Sequence, residues 1–185
     1  MNDEGAAQKD PGAVGEIAVV TTSHRPDLDG EARAAFRGEW PEFIFHDPVA
    51  RLYIDRVEAY FPDHDVLLLD HGQVVAGGWA VPIVWSGEIA SLPDGYDGAL
   101  VSSVTAHESG IEPDTLTVMA TAVRSDRRGQ GLAGQVLAAL RERATSSGLT
   151  RVLAPVRPTL KSRYPLTSMD EFSRWVRRDG LHLDP

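Results

Sequence analysis

The sequence contains no cysteine among its 185 residues. This absence excludes disulfides, thiolate metal sites and a cysteine nucleophile. It also fits the reducing conditions of the cytoplasm, where disulfides are rare. We therefore predict a cytoplasmic protein stabilised by a packed core, for which its 42% of hydrophobic residues is sufficient.

The chain also lacks long hydrophobic runs and blocks of basic residues. Its longest apolar run, "VVAGGWAVPIVW", is 12 residues long and contains a proline, so it is too short to span a membrane. The N-terminal stretch "MNDEGAAQKDPGAVGE" is acidic and has no apolar core of the kind a secretory signal needs. The net charge is -9, which argues against nucleic acid as the main partner. We expect neither a nucleic-acid nor a membrane partner.

Two kinds of catalytic pattern are missing as well. The sequence has no G-x-S-x-G, so serine hydrolase chemistry is unsupported. Its histidines show neither H-x-H nor H-x-x-x-H spacing, so we predict no metal site. These histidines are His24, His46, His64, His71, His107 and His182.

Hydrophobic periodicity predicts alternating strands and helices in one domain, residues 16–185, after a flexible tail, residues 1–15. The predicted order is β-α-α-β-β-(insert)-β-α-β-α, with one strong βαβ unit at Leu116–Val156. A long insert covers residues 86–113, with a helix expected around Ala99–His107. The strands are predicted at 16–22, 65–70, 73–85, 116–123 and 150–156, and the last helix at 168–178.

The stretch "RRGQGLAGQ", Arg127–Gln135, lies where a strand ends and a helix begins. Unpaired N–H groups at a helix start, together with glycines that allow close approach, favour a bound phosphate. Arg124, Arg127 and Arg128 add positive charge to a chain that is otherwise acidic. The stretch therefore predicts a site for a specific phosphate-bearing ligand.

Read literally, Gly129, Gly131 and Gly134 form G-x-G-x-x-G, the dinucleotide fingerprint. That fingerprint usually opens the first strand–helix unit and is followed, about 20 residues on, by an acidic residue for the ribose. Here it lies late in the chain, and the next strand ends in Val156-Arg157-Pro158. We therefore interpret the spacing as coincidental.

The run Thr117–Leu140 instead resembles the cofactor motif of the GNAT superfamily of acyl-CoA-dependent N-acetyltransferases, (Arg/Gln)-x-x-Gly-x-(Gly/Ala). The resemblance implies an α+β fold of three layers (α/β/α) around a mixed, mostly antiparallel sheet. It implies acetyl-CoA as co-substrate, no metal, and direct transfer of the acetyl group to a primary amine of a small molecule. The backbone of Ala122 and Val123 would pair with the pantetheine arm. The loop would cradle the pyrophosphate through Arg128, Gly129, Gln130, Gly131, Leu132 and Ala133.

Catalytic groups are harder to assign from this resemblance. Tyr164 is the candidate acid for the leaving thiolate, although the family's Asn after the last strand and its Tyr-x-x-x-Gly-Phe ending are absent. The strand before the loop holds no carboxylate, so the base is a water or one of the acidic residues of the insert. These residues are Glu88, Asp94, Asp97, Glu108 and Glu112. A CoA-binding sensor or interaction domain without catalysis is the alternative.

The family fold also has strands after its last helix, whereas "DGLHLDP" shows no strand pattern. The strand carrying "RVLAPV" should therefore be an exposed edge of the sheet, and such edges tend to pair with another chain. We expect that the chain is a fragment, that it forms a homodimer through this edge, or that residues 158–185 cover the edge.

Overall fold

The computed structural model describes residues 17–39, 46–156 and 158–184. The chain divides into two compact units, Met1–Ala154 and Pro155–Pro185, and each is described by itself. The predicted tail, together with Trp40 and Arg157, lies outside the described residues. Among the described residues, no helix is long and apolar enough to cross a membrane.

A five-stranded mixed sheet forms the centre of the first unit, with its strands in chain order. The first three junctions are antiparallel and the last, between β4 and β5, is parallel. This confirms the mixed, mostly antiparallel sheet and places β5 at its edge. The strands are β1 Ala18–Thr21, β2 Asp65–Asp70, β3 Gln73–Ile83, β4 Thr115–Val123 and β5 Arg151–Leu153.

The helices follow the predicted order, with one much shorter and one longer than expected. The bounds are α1 Asp29–Phe36, α2 Pro48–Tyr60, α3 Gly95–Glu108, α4 Leu132–Ser146 and α5 Met169–Ser173. Asp47 caps α2, because its Oδ1 accepts from the N–H of Val49 at 2.8 Å and of Ala50 at 3.2 Å. The helix in the segment 86–113 spans 14 residues and so is longer than the expected Ala99–His107.

Helices cover both faces of the sheet, which gives the three-layer α+β architecture predicted above. On one face, α4 buries Leu132, Val136 and Leu140 against Leu68 and Leu116. On the other face, α1 packs on Leu67 and Leu69 of β2, while α2 and α3 pack on the far end of β3. The buried residues of this second layer include Ala32, Val57, Phe61, Leu100, Val104, Val81 and Ile83.

Two adjacent glycines in β3 let helices approach on opposite faces of the sheet. A Cβ on Gly77 would lie 2.9 Å from the ring of Phe36, which ends α1. A Cβ on Gly78 would lie 2.6 Å from the carbonyl oxygen of Ala120 and 2.7 Å from Val136 Cγ1 of α4. Both contacts are shorter than packed atoms tolerate, so α4 can reach β3 only because residue 78 has no side chain.

Proline 82 lies inside β3 without breaking the sheet. Pairing between β2 and β3 ends at Asp65 and Trp79, so the last residues of β3, Ala80–Ile83, pair with β4 alone. One side of this stretch therefore needs no N–H donor, and such an edge position is where a strand tolerates proline.

The second unit contains little regular structure. The predicted helix 168–178 is wrong in length, because α5 ends at Ser173 and the chain then turns back at Asp179-Gly180 to form an isolated bridge between Val176 and His182. Ser168 caps this helix, since its Oγ accepts from the N–H of Glu171 at 3.1 Å. Residues 158–184 contain no strand beyond that bridge, so the expected absence of further strands holds for the described part. A fragment, a homodimer or a covered edge each stay predictions.

We predict that Gly78→Ala lowers the free energy of unfolding by about 1–3 kcal/mol, the usual cost of overpacking a dense core. The reason is that the new methyl group meets Ala120 and Val136 at distances that force α4 away from β3. Urea unfolding measures the change. Gly134→Ala is the control, because a Cβ there meets nothing within 4 Å. Equal stability of Gly78→Ala and the wild type would show that α4 moves away at no cost.

Candidate active site

Strand β4 has a free edge over most of its length. It pairs with β3 from Thr115 to Val123, but with β5 only over Thr115–Thr117. The next N–H, that of Arg124, donates to Val75 O at 3.0 Å and so points toward β3. Because backbone groups alternate between the two edges of a strand, those of Val123 and Thr121 face the free edge and those of Ala122 face β3. An extended ligand can therefore add to β4 as a further strand would.

The turn after β4 brings its backbone to the start of α4. Residues Ser125–Arg127 form a short 3-10 turn, and Gly129 and Gly131 then adopt φ values of +77° and +75°. Gly131 is the N-cap of α4 and has no side chain with which to cap it. The N–H groups of the first helical turn therefore receive no side-chain acceptor from residue 131, and they carry the positive end of the helix dipole.

The free edge and this loop enclose a cavity of about 350 Å³. It lies within the first unit and joins the end of β4 to the start of α4, as an anion site at a helix start requires. Of the predicted cofactor residues, only Gln130 is not among those that line it. The lining residues are Thr121, Ala122, Val123, Arg127, Arg128, Gly129, Gly131, Leu132 and Ala133. Thr121 lines the cavity without having been assigned to the site from the sequence, whereas Arg127 was expected there only as one of the loop's positive charges.

Arg127 braces the loop rather than standing free as a charge. Its Nη1 lies 2.6 Å from Asp70 Oδ2, and its Nε donates to Gln130 Oε1 at 3.1 Å. The side chains of Arg127 and Asp70 are 17% and 12% exposed, so this ion pair is largely shielded from water. It ties the loop to the end of β2. Sequence reasoning missed Asp70, which lies 57 positions from its partner and carries no local signal.

A second arginine of the loop is also paired. Arg124 makes two hydrogen bonds to Asp126, at 2.7 and 3.0 Å, and these lower the pKa of the Asp126 carboxyl. The positive charge expected from three arginines is thus partly compensated within and beside the loop. The backbone N–H groups consequently carry more of the anion attraction than the sequence alone suggests.

Gly134 distinguishes the two interpretations of the glycine pattern. In a dinucleotide fold the third glycine allows close packing of helix and strand. Here a Cβ on Gly134 would meet nothing within 4 Å, so packing does not require glycine at this position. This supports the interpretation of the G-x-G-x-x-G spacing as coincidental.

The acidic residues proposed as bases have different surroundings. Glu108, at the end of α3, accepts hydrogen bonds from Arg56 at 3.2 Å and from the Tyr60 hydroxyl at 3.0 Å. Partial burial and the neighbouring Asp47 carboxyl raise the pKa of Asp97. The remaining candidates, Glu88, Asp94 and Glu112, are exposed. The base stays an open prediction.

Tyr164 lies in the second unit, in a small aromatic cluster. Its ring centroid is 4.9 Å from that of Trp175, edge to face, and 5.7 Å from that of Phe172. The side chain is still 38% exposed, so one side of the ring packs while another remains accessible. Its role as the acid stays a prediction.

We predict that Asp70→Asn destabilises the protein by roughly 3 kcal/mol, because it leaves the shielded Arg127 guanidinium without its counter-charge. Asp126→Asn is the matched control, since Asp126 is 61% exposed and such surface pairs contribute less than about 1 kcal/mol. Thermal and urea unfolding of the two variants measure the difference. Equal losses would mean that the Arg127–Asp70 pair does not brace the loop.

Comparison with known proteins agrees with this geometry. The model of the GNAT acetyltransferase family matches residues 31–165. Arginine N-acetyltransferase avaD of Aspergillus versicolor is 30% identical over 172 residues, which cover 85% of this chain and 59% of that protein. The chain thus spans less than two thirds of that relative's length.

Two solved structures share the fold at low sequence identity. The loading GNATL domain of CurA from Lyngbya majuscula has a TM-score of 0.58 and is 16% identical, over 92% of this chain and 80% of that one. The GphF GNAT-like decarboxylase in complex with isobutyryl-CoA has a TM-score of 0.56 and is 18% identical, with the same coverage. The match of the family model over most of the chain, the mixed sheet and the glycine loop at the start of α4 together show that this chain belongs to the GNAT acetyltransferase family.

Proposed function

We propose that this protein is an N-acetyltransferase that transfers the acetyl group of acetyl-CoA to a primary amine of a small molecule. The observation that carries the proposal is the meeting of the free edge of β4 with the uncapped start of α4 in one cavity. The name of the relative, an arginine N-acetyltransferase, supports an amine as the acceptor. A cytoplasmic location remains our expectation from the lack of cysteine.

Acetyl-CoA fits this cavity in a specific orientation. Its pyrophosphate would accept hydrogen bonds from the N–H groups between Arg128 and Ala133, where no side chain of residue 131 competes. Its pantetheine amides would pair with Val123 and Thr121, whose backbone groups face the free edge of β4. Ala122 would contribute contact rather than hydrogen bonds, because its own backbone groups face β3.

The chemistry follows from the position of the thioester beside this edge. The neutral amine nitrogen attacks the carbonyl carbon, the new C–N bond forms, and the C–S bond then breaks. A backbone N–H near Val123 would stabilise the oxyanion, a contribution of roughly 3 kcal/mol for one donor. The amine proton leaves to a base or an ordered water, and Tyr164 would protonate the thiolate.

The activity test measures release of free CoA thiol from acetyl-CoA in the presence of small primary amines. Thiol release that depends on the amine, with an acetylated product found by mass spectrometry, would support transfer. Tight CoA binding without turnover for any amine would favour the non-catalytic CoA-binding alternative. Stabilisation by NAD(P) but not by CoA in thermal-shift measurements would contradict both.

We predict that Gly131→Asp weakens CoA binding at least tenfold, about 1.4 kcal/mol, because it puts a carboxylate where the pyrophosphate binds. A Cβ at this position meets nothing within 4 Å, but φ is +75°, so any side chain brings some backbone strain. Gly131→Asn is the matched control, since asparagine has the same shape and tolerates this φ without the charge. Calorimetric CoA titrations compare the variants. Equal affinities for Asp and Asn would mean that no phosphate lies near residue 131.

We predict that Tyr164→Phe lowers kcat by roughly 10²–10⁴, the usual contribution of a general acid. The ring contacts with Phe172 and Trp175 are kept, so folding and the KM for acetyl-CoA should change little. Steady-state kinetics at saturating acetyl-CoA measure the effect. A fall of less than about threefold, well below the general-acid range, would assign Tyr164 to packing alone.

A further inference from the structure

A second cavity lies in the first unit, between α1, α2 and the start of β2. Its volume is about 360 Å³, within the size range of small-molecule sites. Much of its lining is apolar and comes from α2 and β3. The apolar contributors are Ile54, Val57, Phe61, Trp79 and Ala80.

One carboxyl group, that of Asp65, stands at the β-sheet side of this cavity. Asp65 begins β2, and its direct partner across the antiparallel ladder is Trp79 of β3. Residues directly opposite each other in such a ladder project their side chains from the same face, with Cβ atoms roughly 5 Å apart. The carboxyl of Asp65 and the indole of Trp79 therefore line the cavity side by side.

The other two carboxylates at the cavity already have a cationic partner. Arg33 lies 3.0 Å from Asp29 Oδ2 and 2.7 Å from Glu58 Oε1. Asp65 pairs with no arginine, lysine or histidine side chain within the part of the chain that the structure describes. Burial raises the pKa of Asp65 to about 7, against the opposing effects of a hydrogen bond from the Thr22 side chain and of the more distant Arg33 charge, and the negative charges of Glu58 and Asp29 add to the rise.

These surroundings select one kind of ligand. A half-buried carboxyl that has no ion-pair partner costs folding free energy, and such groups are commonly kept for function. An anion would be repelled by the ionised Asp65 and by the excess negative charge of Asp29 and Glu58 over Arg33. A neutral ligand would supply no charge to offset the Asp65 carboxylate. A cationic head on an alkyl chain would satisfy the carboxylate, place its stem against Ile54 and Phe61, and lie beside the indole of Trp79.

We propose that this cavity binds the cationic end of the acceptor, an ammonium or guanidinium group carried on an alkyl chain, and that Asp65 is its carboxylate partner. The inference rests on the proposed function and adds the substrate class and a specificity-determining residue. Trp79 also pairs with Ala120 of β4. Two strand spacings, roughly 10 Å, thus separate Asp65 from the strand whose free edge would hold the thioester. A short alkyl chain can span this separation.

The test uses calorimetric titration of the full chain, with CoA present, with L-arginine, agmatine and L-citrulline. Citrulline has nearly the shape of arginine but no side-chain charge. We expect arginine or agmatine to bind at least tenfold more tightly than citrulline, and Asp65→Asn to remove that preference. Asp55→Asn is the matched control, because it removes an exposed carboxylate of α2 outside the cavity lining and should change nothing.

The pH dependence gives a second readout. Asp65 holds its proton below about pH 7, so cation affinity should rise from pH 6 to pH 8, and binding at pH 6 should release a proton. The groups that act on Asp65 are Asp29 and Arg33 of α1, Glu58 of α2, and the side chain of Thr22, which is hydrogen-bonded to the carboxyl. Burial lowers the pKa of the preceding His64. Asp65→Asn should abolish the proton release.

The raised pKa of Asp65 also predicts how Asp65→Asn affects stability. The pKa of the Asp65 carboxyl is about 7 in the folded protein, against an ordinary value of 3.8 in the unfolded chain. This difference favours the folded state fully at pH values below 3.8, and the contribution is lost as the pH rises through about 7. Asp65→Asn should therefore be at least as stable as the wild type at pH 8.

The outcomes separate this inference from the proposed function. Equal binding of arginine, agmatine and citrulline, or an unchanged preference in Asp65→Asn, would overturn the cation site while leaving acetyl transfer intact. Cation binding that depends on Asp65 in a protein without transferase activity would contradict the proposed function and keep the site.

Discussion

The structure depends on the unequal pairing of β4. This strand is bonded to β3 along its whole length but to β5 over only three residues. A sheet normally satisfies backbone groups on both sides of an interior strand, so the free edge of β4 is an exception within the first unit. Backbone N–H and C=O groups left unpaired beside a cavity are able to bind an extended amide ligand. The pantetheine arm of CoA is such a ligand, and the loop after β4 leads directly to the start of α4, where we propose that the pyrophosphate binds.

Keeping that edge in place depends on contacts made elsewhere. Gly78 lets Val136 of α4 lie against β3, so the helix starts at the level of the free edge. The Arg127–Asp70 pair then ties the loop to the end of β2. Neither contact touches the proposed position of the reacting atoms, yet both determine where the first N–H groups of α4 point. A glycine and an ion pair would thus provide the preorganisation that the proposed anion binding requires.

The sequence predicts the local features of this site well and its long-range features poorly. The glycines of the loop, the amphipathic α4 and the strand before it lie within 30 consecutive residues, so their pattern can be read directly. Asp70 and Gly78 act only through partners that folding brings to them, and no spacing rule identifies such partners. The 168–178 helix fails for a related reason. Ser168 does cap its start, but the Asp179-Gly180 turn and the aromatic packing of Trp175 compete with helix and end it at Ser173.

The fold alone does not decide the chemistry, since one structural neighbour is described as a GNAT-like decarboxylase. The chemistry depends on individual residues, and β3 carries two of them at adjacent positions. Successive side chains of a strand point to opposite faces, so Gly78 faces α4 while Trp79 faces the second cavity. Through Trp79 and Ala120, the half-buried carboxyl of Asp65 lies in line with the free edge of β4. An acceptor anchored by its cation at Asp65 would extend across β3 toward the thioester. Acceptor selection and CoA binding would then be set by opposite faces of the same strand.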